Sequence, residues 1–146
     1  QSEGSDYLVQ AFESGEDVLT KPPISATTVA DSISADLPRD RIKAMAAVTE
    51  TGGAYLRVSD DEILAAIPVL ARGSGVFAEP AGAAALAGLV AAADRGLVDD
   101  SDEVVLVATG NGLKDIPSAL KAVTAAGTEP VRIDPDLDSL KTAINH

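Results

Sequence analysis

Val104 to Ala108 run without a polar residue and stop at Thr109-Gly110-Asn111-Gly112. A short apolar run of this kind, bounded by turn residues, predicts a strand covered on both faces, as in a parallel sheet. The two glycines after it permit positive φ and let backbone come close to whatever sits beside them. Beyond Asp115 the pattern turns helical. Asp115 is placed to cap, Pro117 falls in the first turn, Ile116, Ala119, Leu120 and Val123 form one stripe, and Gly127 ends it.

The same reading applied from the start of the chain gives an alternation of elements. Ser5 or Asp6 caps a short helix, Tyr7 to Phe12, with Leu8 and Phe12 on one face and Gly15 as its stop. Lys21-Pro22-Pro23 cannot be helical. Ser25 to Ser34 is rich in small and hydroxylated residues, with Val29 and Ile33 four apart, and a short helix is expected there. Its hydroxyls, Thr27, Thr28 and Ser32, either face a ligand or serve as caps and solvated groups. Pro38-Arg39-Asp40 opens a helix with Ile42, Met45, Ala46 and Thr49 on one side, closed by Gly52-Gly53. Ala54 to Val58 predicts a short strand.

Ser59 with Glu62 three residues on is a capping box, opening an amphipathic helix through Ile63, Leu64, Ile67, Leu70 and Ala71. Pro68 inside it predicts a kink or a division into two helices. Val76-Phe77-Ala78 reads as a short buried segment. Glu79-Pro80 starts a helix of alanines and glycines with Leu86, Leu89 and Val90 as its large residues, ended by Gly96. That helix is apolar nearly all round and is expected to be enclosed. A strand, Pro130 to Ile133, and a helix from Asp134-Pro135 through Leu137, Leu140 and Ile144 complete the chain. Strands alternating with helices predict an α/β fold, a mainly parallel sheet flanked by helices. Residues 1–146 show no internal boundary and no repeat.

Composition narrows the chemistry. Of 146 residues, 46% are hydrophobic but only 3% aromatic, so the core is built from small side chains. The absence of cysteine removes disulfides, thiolate metal sites and cysteine nucleophiles. The single histidine, His146, is terminal, which argues against histidine acid–base work, a Ser/His/Asp triad and a histidine-rich metal site. A formal charge of −12 argues against nucleic acid and anionic membranes, both of which call for basic patches. No apolar run reaches the roughly 18–20 residues that span a bilayer, and no signal peptide is present, so a cytoplasmic location is expected. Dispersed acids such as Asp6, Glu13 and Asp138 read as solvated surface, as do the pairs Asp60-Asp61 and Asp99-Asp100.

Thr109-Gly110-Asn111-Gly112 is the sharpest candidate site, because ligands of open α/β sheets bind outside the carboxyl ends of the strands. It lacks the spacing and following Lys-Ser/Thr of a nucleotide loop. A tight strand-to-helix turn with no ligand accounts for the same residues. Glu79 meets the positive end of a helix dipole and is read first as an ordinary cap. Lys114 is of the type that forms an imine when desolvated, or else has its charge held by Asp115 or solvent.

Phe77-Ala78-Glu79-Pro80-Ala81-Gly82-Ala83-Ala84, followed by Thr109-Gly110-Asn111-Gly112-Leu113-Lys114-Asp115, resembles the carboxyl-terminal half of the threonine synthase family. Gln1 to Ser5, Thr28 to Ile33 and the Val58 to Ile63 box are similar to segments of the same enzymes, in the same order. The family usually has histidine at the position of Asn111, which leaves the class intact and the substrate open between O-phosphohomoserine and threonine or serine. The resemblance implies a tryptophan synthase beta-like fold and pyridoxal 5′-phosphate as cofactor. The reaction it implies is conversion of O-phosphohomoserine and water to threonine and phosphate, a carbon–oxygen lyase reaction. It places the Thr109 hydroxyl at the pyridine nitrogen of the cofactor, where Gly110 and Gly112 keep side chains out of the ring plane, with Glu79 near the same strand ends.

The lysine that forms the internal imine and the glycine-rich loop for the cofactor phosphate precede this chain in the family, and nothing in residues 1–146 matches either. The chain is therefore expected to be a carboxyl-terminal fragment of the large domain. It would carry Thr109 and Gly110 as cofactor-binding residues and no catalytic residue or metal ligand, and would be inactive alone. An ammonia-lyase acting on threonine or serine and a non-catalytic α/β binding or regulatory module are the alternatives. Unpaired sheet edges and uncovered helix faces imply self-association or a homo-oligomer.

The acidity carries a testable consequence. A salt-rich cytoplasm would screen the repulsion among so many carboxylates. The unfolding temperature is expected to rise between dilute buffer and molar potassium chloride; a flat or falling response contradicts salt adaptation.

Overall fold

The computed structural model describes residues 1–128 and 130–144, so His146 lies outside the described residues. Among them are six α-helices: α1 (Tyr7–Ser14), α2 (Arg41–Glu50), α3 (Asp60–Ser74), α4 (Pro80–Asp94), α5 (Ile116–Ala125) and α6 (Leu137–Ile144). Three single 3-10 turns cover Glu3–Ser5, Asp31–Ile33 and Gly112–Lys114. The expected stops Gly15, Gly52, Gly96 and Gly127 all take positive φ. The Ser59/Glu62 capping box is formed in both directions, and Asp115 accepts from the Ser118 amide at 3.1 Å to start α5. No helix among the described residues is long and apolar enough to cross a membrane.

α3 is the centre of the larger core. Val58, Ile63, Leu64, Ala66 and Ile67 pack with Ala78, Ala83 and Ala87 from the α4 side and with Ala122 of α5. Alanines at these contacts let helix axes come close, which explains how a chain poor in aromatics closes a core. α3 runs through Pro68 as one element, not two. A smaller core gathers Tyr7, Leu8, Ala11 and Val18, with Met45 and Tyr55 against it and Phe12 edge-on to Tyr55 at 5.4 Å.

Several expectations are corrected here. No strand forms among the described residues. Val104–Ala108, Ala54–Val58 and Pro130–Ile133 remain without regular structure, and pairing is confined to two isolated bridges, Ser2 with Val58 (parallel) and Ala78 with Asn111 (antiparallel). A strand exists only when a neighbour takes up its N–H and C=O groups. The apolar segment 104–108 has none here and leaves Val105 85% and Val107 65% exposed. For the same reason α4 is not enclosed: Gly82, Ala83, Ala87 and Ala92 are buried, but Val90 is exposed. α5 buries Ala122 and leaves Ile116 and Leu120 exposed, and α2 has no fully buried residue. The expected helix over Ser25–Ser34 is only the Asp31–Ile33 turn. There the Thr28 hydroxyl accepts from the Ala30 amide, a side-chain bond that competes with helix.

Asp60 is likewise not a solvated surface acid. Its carboxylate accepts from the Ser2 hydroxyl at 3.1 Å, the Thr28 hydroxyl and the Val29 amide at 3.0 Å, tying two segments to the start of α3. Burial pushes its carboxyl upward, but the Thr28, Val29 and Ser2 donors and the charge of Lys121 outweigh burial and hold it below the usual value. A depressed folded value stabilises the fold above the unfolded carboxyl range, and that stability is lost as pH falls through the folded value. Asp60→Asn is expected to lower stability by about 1–3 kcal/mol at neutral pH. In urea unfolding the difference from the parent chain shrinks on acidification; a difference independent of pH contradicts this role.

Candidate functional site

The two segments singled out by sequence meet in space. The Glu79 amide donates to the Gly110 carbonyl at 2.9 Å and the Gly112 amide donates to the Phe77 carbonyl at 3.0 Å, so that Ala78 and Asn111 face each other as a bridge. The glycines serve close approach and not φ, since neither Gly110 nor Gly112 has positive φ. A Cβ on Gly110 would strike the Glu79 carboxylate, and one on Gly112 would strike the Phe77 ring. Packing of protein on protein thus already requires both glycines.

Glu79 is 6% exposed. It stands at the N-cap position of α4 with Pro80 in the first turn, yet its side chain caps nothing. The carboxylate instead receives Lys114 Nζ at 2.8 Å on Oε1 and the Ser32 hydroxyl at 3.3 Å on Oε2, with Lys114 Nζ 3.5 Å from Ser32 Oγ. This corrects two expectations: Glu79 is not a helix cap, and the charge of Lys114 is held by Glu79, not by Asp115. Asp115 is occupied by the Ser118 amide. A carboxylate taken out of water needs such partners, because an unpaired buried charge is costly. The pairing joins residues 35 and 47 positions apart, so no local pattern could have disclosed it. The sequence marks Ser32, Glu79 and Lys114 as polar groups at three separate places and joins none of them.

Thr109 and Gly110 differ in setting. Thr109 is exposed, and its hydroxyl makes no hydrogen bond with another described residue; Gly110 is half-buried against Glu79. Asn111 Oδ1 accepts from the Leu113 amide at 2.9 Å and shapes the Gly112–Lys114 turn. The result is a neutral hydroxyl with no partner among the described residues, carried on a turn braced by an ion pair whose carboxylate is buried. Among the described residues no group of three metal-ligating side chains comes together.

A family model described as "Pyridoxal-phosphate dependent enzyme" matches residues 1–110. Among curated proteins, the chain is 35% identical over 142 residues to a protein named threonine synthase from Methanocaldococcus jannaschii, covering 97% of this chain and 34% of that one. It is 38% identical over 144 residues to the threonine synthase of Methanosarcina acetivorans, covering 99% and 34%. It is 43% identical over 118 residues to that of Mycobacterium bovis, covering 81% and 32%. The chain spans about a third of the length of these relatives. With the family model covering both Glu79 and the Thr109-Gly110 pair, the chain belongs to the pyridoxal-phosphate dependent enzymes.

Proposed function

We propose that this chain forms one wall of the cofactor site of a threonine synthase, an enzyme that turns O-phosphohomoserine and water into threonine and phosphate. Support comes from the family match and from relatives that carry that name and align with nearly the whole chain. The observation that carries the reading is the junction of the Glu79 and Thr109 segments, which leaves the Thr109 hydroxyl exposed and without a partner among the described residues.

The donor set fits one edge of pyridoxal phosphate. Thr109 would hold the ring nitrogen through its hydroxyl, and Gly110 would keep the adjoining backbone in place. When bound, the cofactor supplies the electron-withdrawing ring on which elimination and addition next to an amino group depend. A neutral hydroxyl supports a protonated ring nitrogen less than a carboxylate does, which suits γ-elimination followed by β-addition of water. The lysine that anchors the cofactor and the loop that binds its phosphate would come from polypeptide outside this chain. That polypeptide would also supply strands to pair Val104–Ala108 and Pro130–Ile133 into the mainly parallel sheet of a tryptophan synthase beta-like fold. Exposed Val105, Val107 and Val131 are the side chains such a sheet would cover. The same uncovered surface would drive this chain alone to self-associate. A biosynthetic enzyme of this kind would work in the cytoplasm on a small, soluble substrate, as a homo-oligomer.

The full polypeptide is expected to release phosphate from O-phosphohomoserine with equivalent formation of threonine. Formation of 2-oxobutanoate from threonine without phosphate release would contradict the reading. Thr109→Val is expected to weaken pyridoxal phosphate binding about tenfold, as loss of one hydrogen bond to a buried acceptor does, while Thr109→Ser retains it. Unchanged cofactor affinity in Thr109→Val, measured by equilibrium dialysis, removes Thr109 from the site.

A further inference from the structure

Glu79 is a buried carboxylate packed against the residue that follows Thr109. A negative charge near a ring nitrogen favours its protonated form and would override the effect of a neutral hydroxyl. In this chain that charge is already answered. Lys114 Nζ lies 2.8 Å from Oε1, and the Ser32 hydroxyl donates to Oε2 at 3.3 Å. The elements packed around Glu79 bring no other ion to it among the described residues. From the Asp31–Ile33 turn it receives Ser32, while Asp31 is exposed; from the Gly112–Lys114 turn it receives Lys114; Asp115 is engaged by the Ser118 amide. The Lys114 side chain is 58% exposed and the Glu79 side chain 8%. The cation therefore reaches in from solvent to a fixed carboxylate.

We propose that Lys114 is a positioning residue that cancels and immobilises the Glu79 carboxylate, leaving the hydroxyl of Thr109 to set the protonation of the cofactor's ring nitrogen. The proposal rests on the assignment of Thr109 made above and adds to it a charge balance. The Ser32 hydroxyl adds a second tie, donating to the other carboxylate oxygen at 3.3 Å. Without Lys114 an uncancelled negative charge remains beside the turn. Without Glu79 the positive charge of Lys114 remains instead.

The test follows ring-nitrogen protonation itself, by the ¹⁵N shift of ring-labelled pyridoxal phosphate titrated with pH in the full polypeptide. Lys114→Met is expected to raise the midpoint by about one pH unit, a tenfold gain in proton affinity, and Glu79→Gln to lower it by about as much. The double variant Glu79→Gln/Lys114→Met returns to the parent midpoint, and Lys114→Arg keeps it. A merely structural ion pair would change the unfolding temperature and move none of these midpoints, and that result overturns the proposal. Should Lys114→Met not fold, Glu79→Gln decides, with a lowered midpoint in support and an unmoved one against. Thr109→Val separates the two levels. If it leaves cofactor affinity and the ¹⁵N midpoint unchanged, the Thr109 assignment fails and the charge balance with it. If Thr109→Val acts while Lys114→Met and Glu79→Gln are silent, only the role of Lys114 falls.

Discussion

A carboxylate buried where the chain crosses itself sets the terms for everything around it. Glu79 has left water at the start of α4, and burial of that charge is tolerable only because Lys114 and Ser32 close on it from two other segments. Gly110 must lack a side chain to give the carboxylate room, and the backbone bonds between Phe77, Glu79, Gly110 and Gly112 hold the two segments in register. Thr109 emerges from this junction with a hydroxyl that has no partner among the described residues. The position of that hydroxyl thus follows from an electrostatic requirement elsewhere.

The second constraint is surface. The inner face of α3 is deeply buried, with Ile63 and Ile67 almost inaccessible, whereas the segments after Asp102 leave Val105, Val107, Val131, Leu137 and Ile144 mostly exposed. Apolar area of that extent is stable only when something covers it. The chain spans about a third of the length of the relatives it matches. The isolated parallel bridge between Ser2 and Val58 is the sole parallel pairing among the described residues, and it sits where the first segment meets the one leading into α3.

What could be read in the sequence was whatever depends on neighbours a few residues away. The Ser59/Glu62 box, the Asp115 cap and the glycine stops of α1, α4 and α5 all formed where local chemistry placed them. The helix periodicities were legible too, except that the face actually buried in α5 is set by Ala122 against α3 and not by its larger residues. The expected strands do not form among the described residues, because an apolar run such as Val104–Ala108 becomes a strand only with partners to pair with. Asp60 and Glu79 were misjudged for a related reason. A charge next to a helix start looks like a cap or a solvated acid until distant residues, Ser2 and Thr28 for the one and Ser32 and Lys114 for the other, close over it.

The central claim is that the hydroxyl of Thr109 is the group this chain offers to the ring of pyridoxal phosphate. The most direct measurement is a crystal structure of the full polypeptide with that cofactor bound. The account predicts Thr109 Oγ1 at hydrogen-bonding distance from the ring nitrogen, with the Glu79–Lys114 pair intact behind Gly110. A cofactor whose ring nitrogen meets a different side chain, with Thr109 left in solvent, would contradict it.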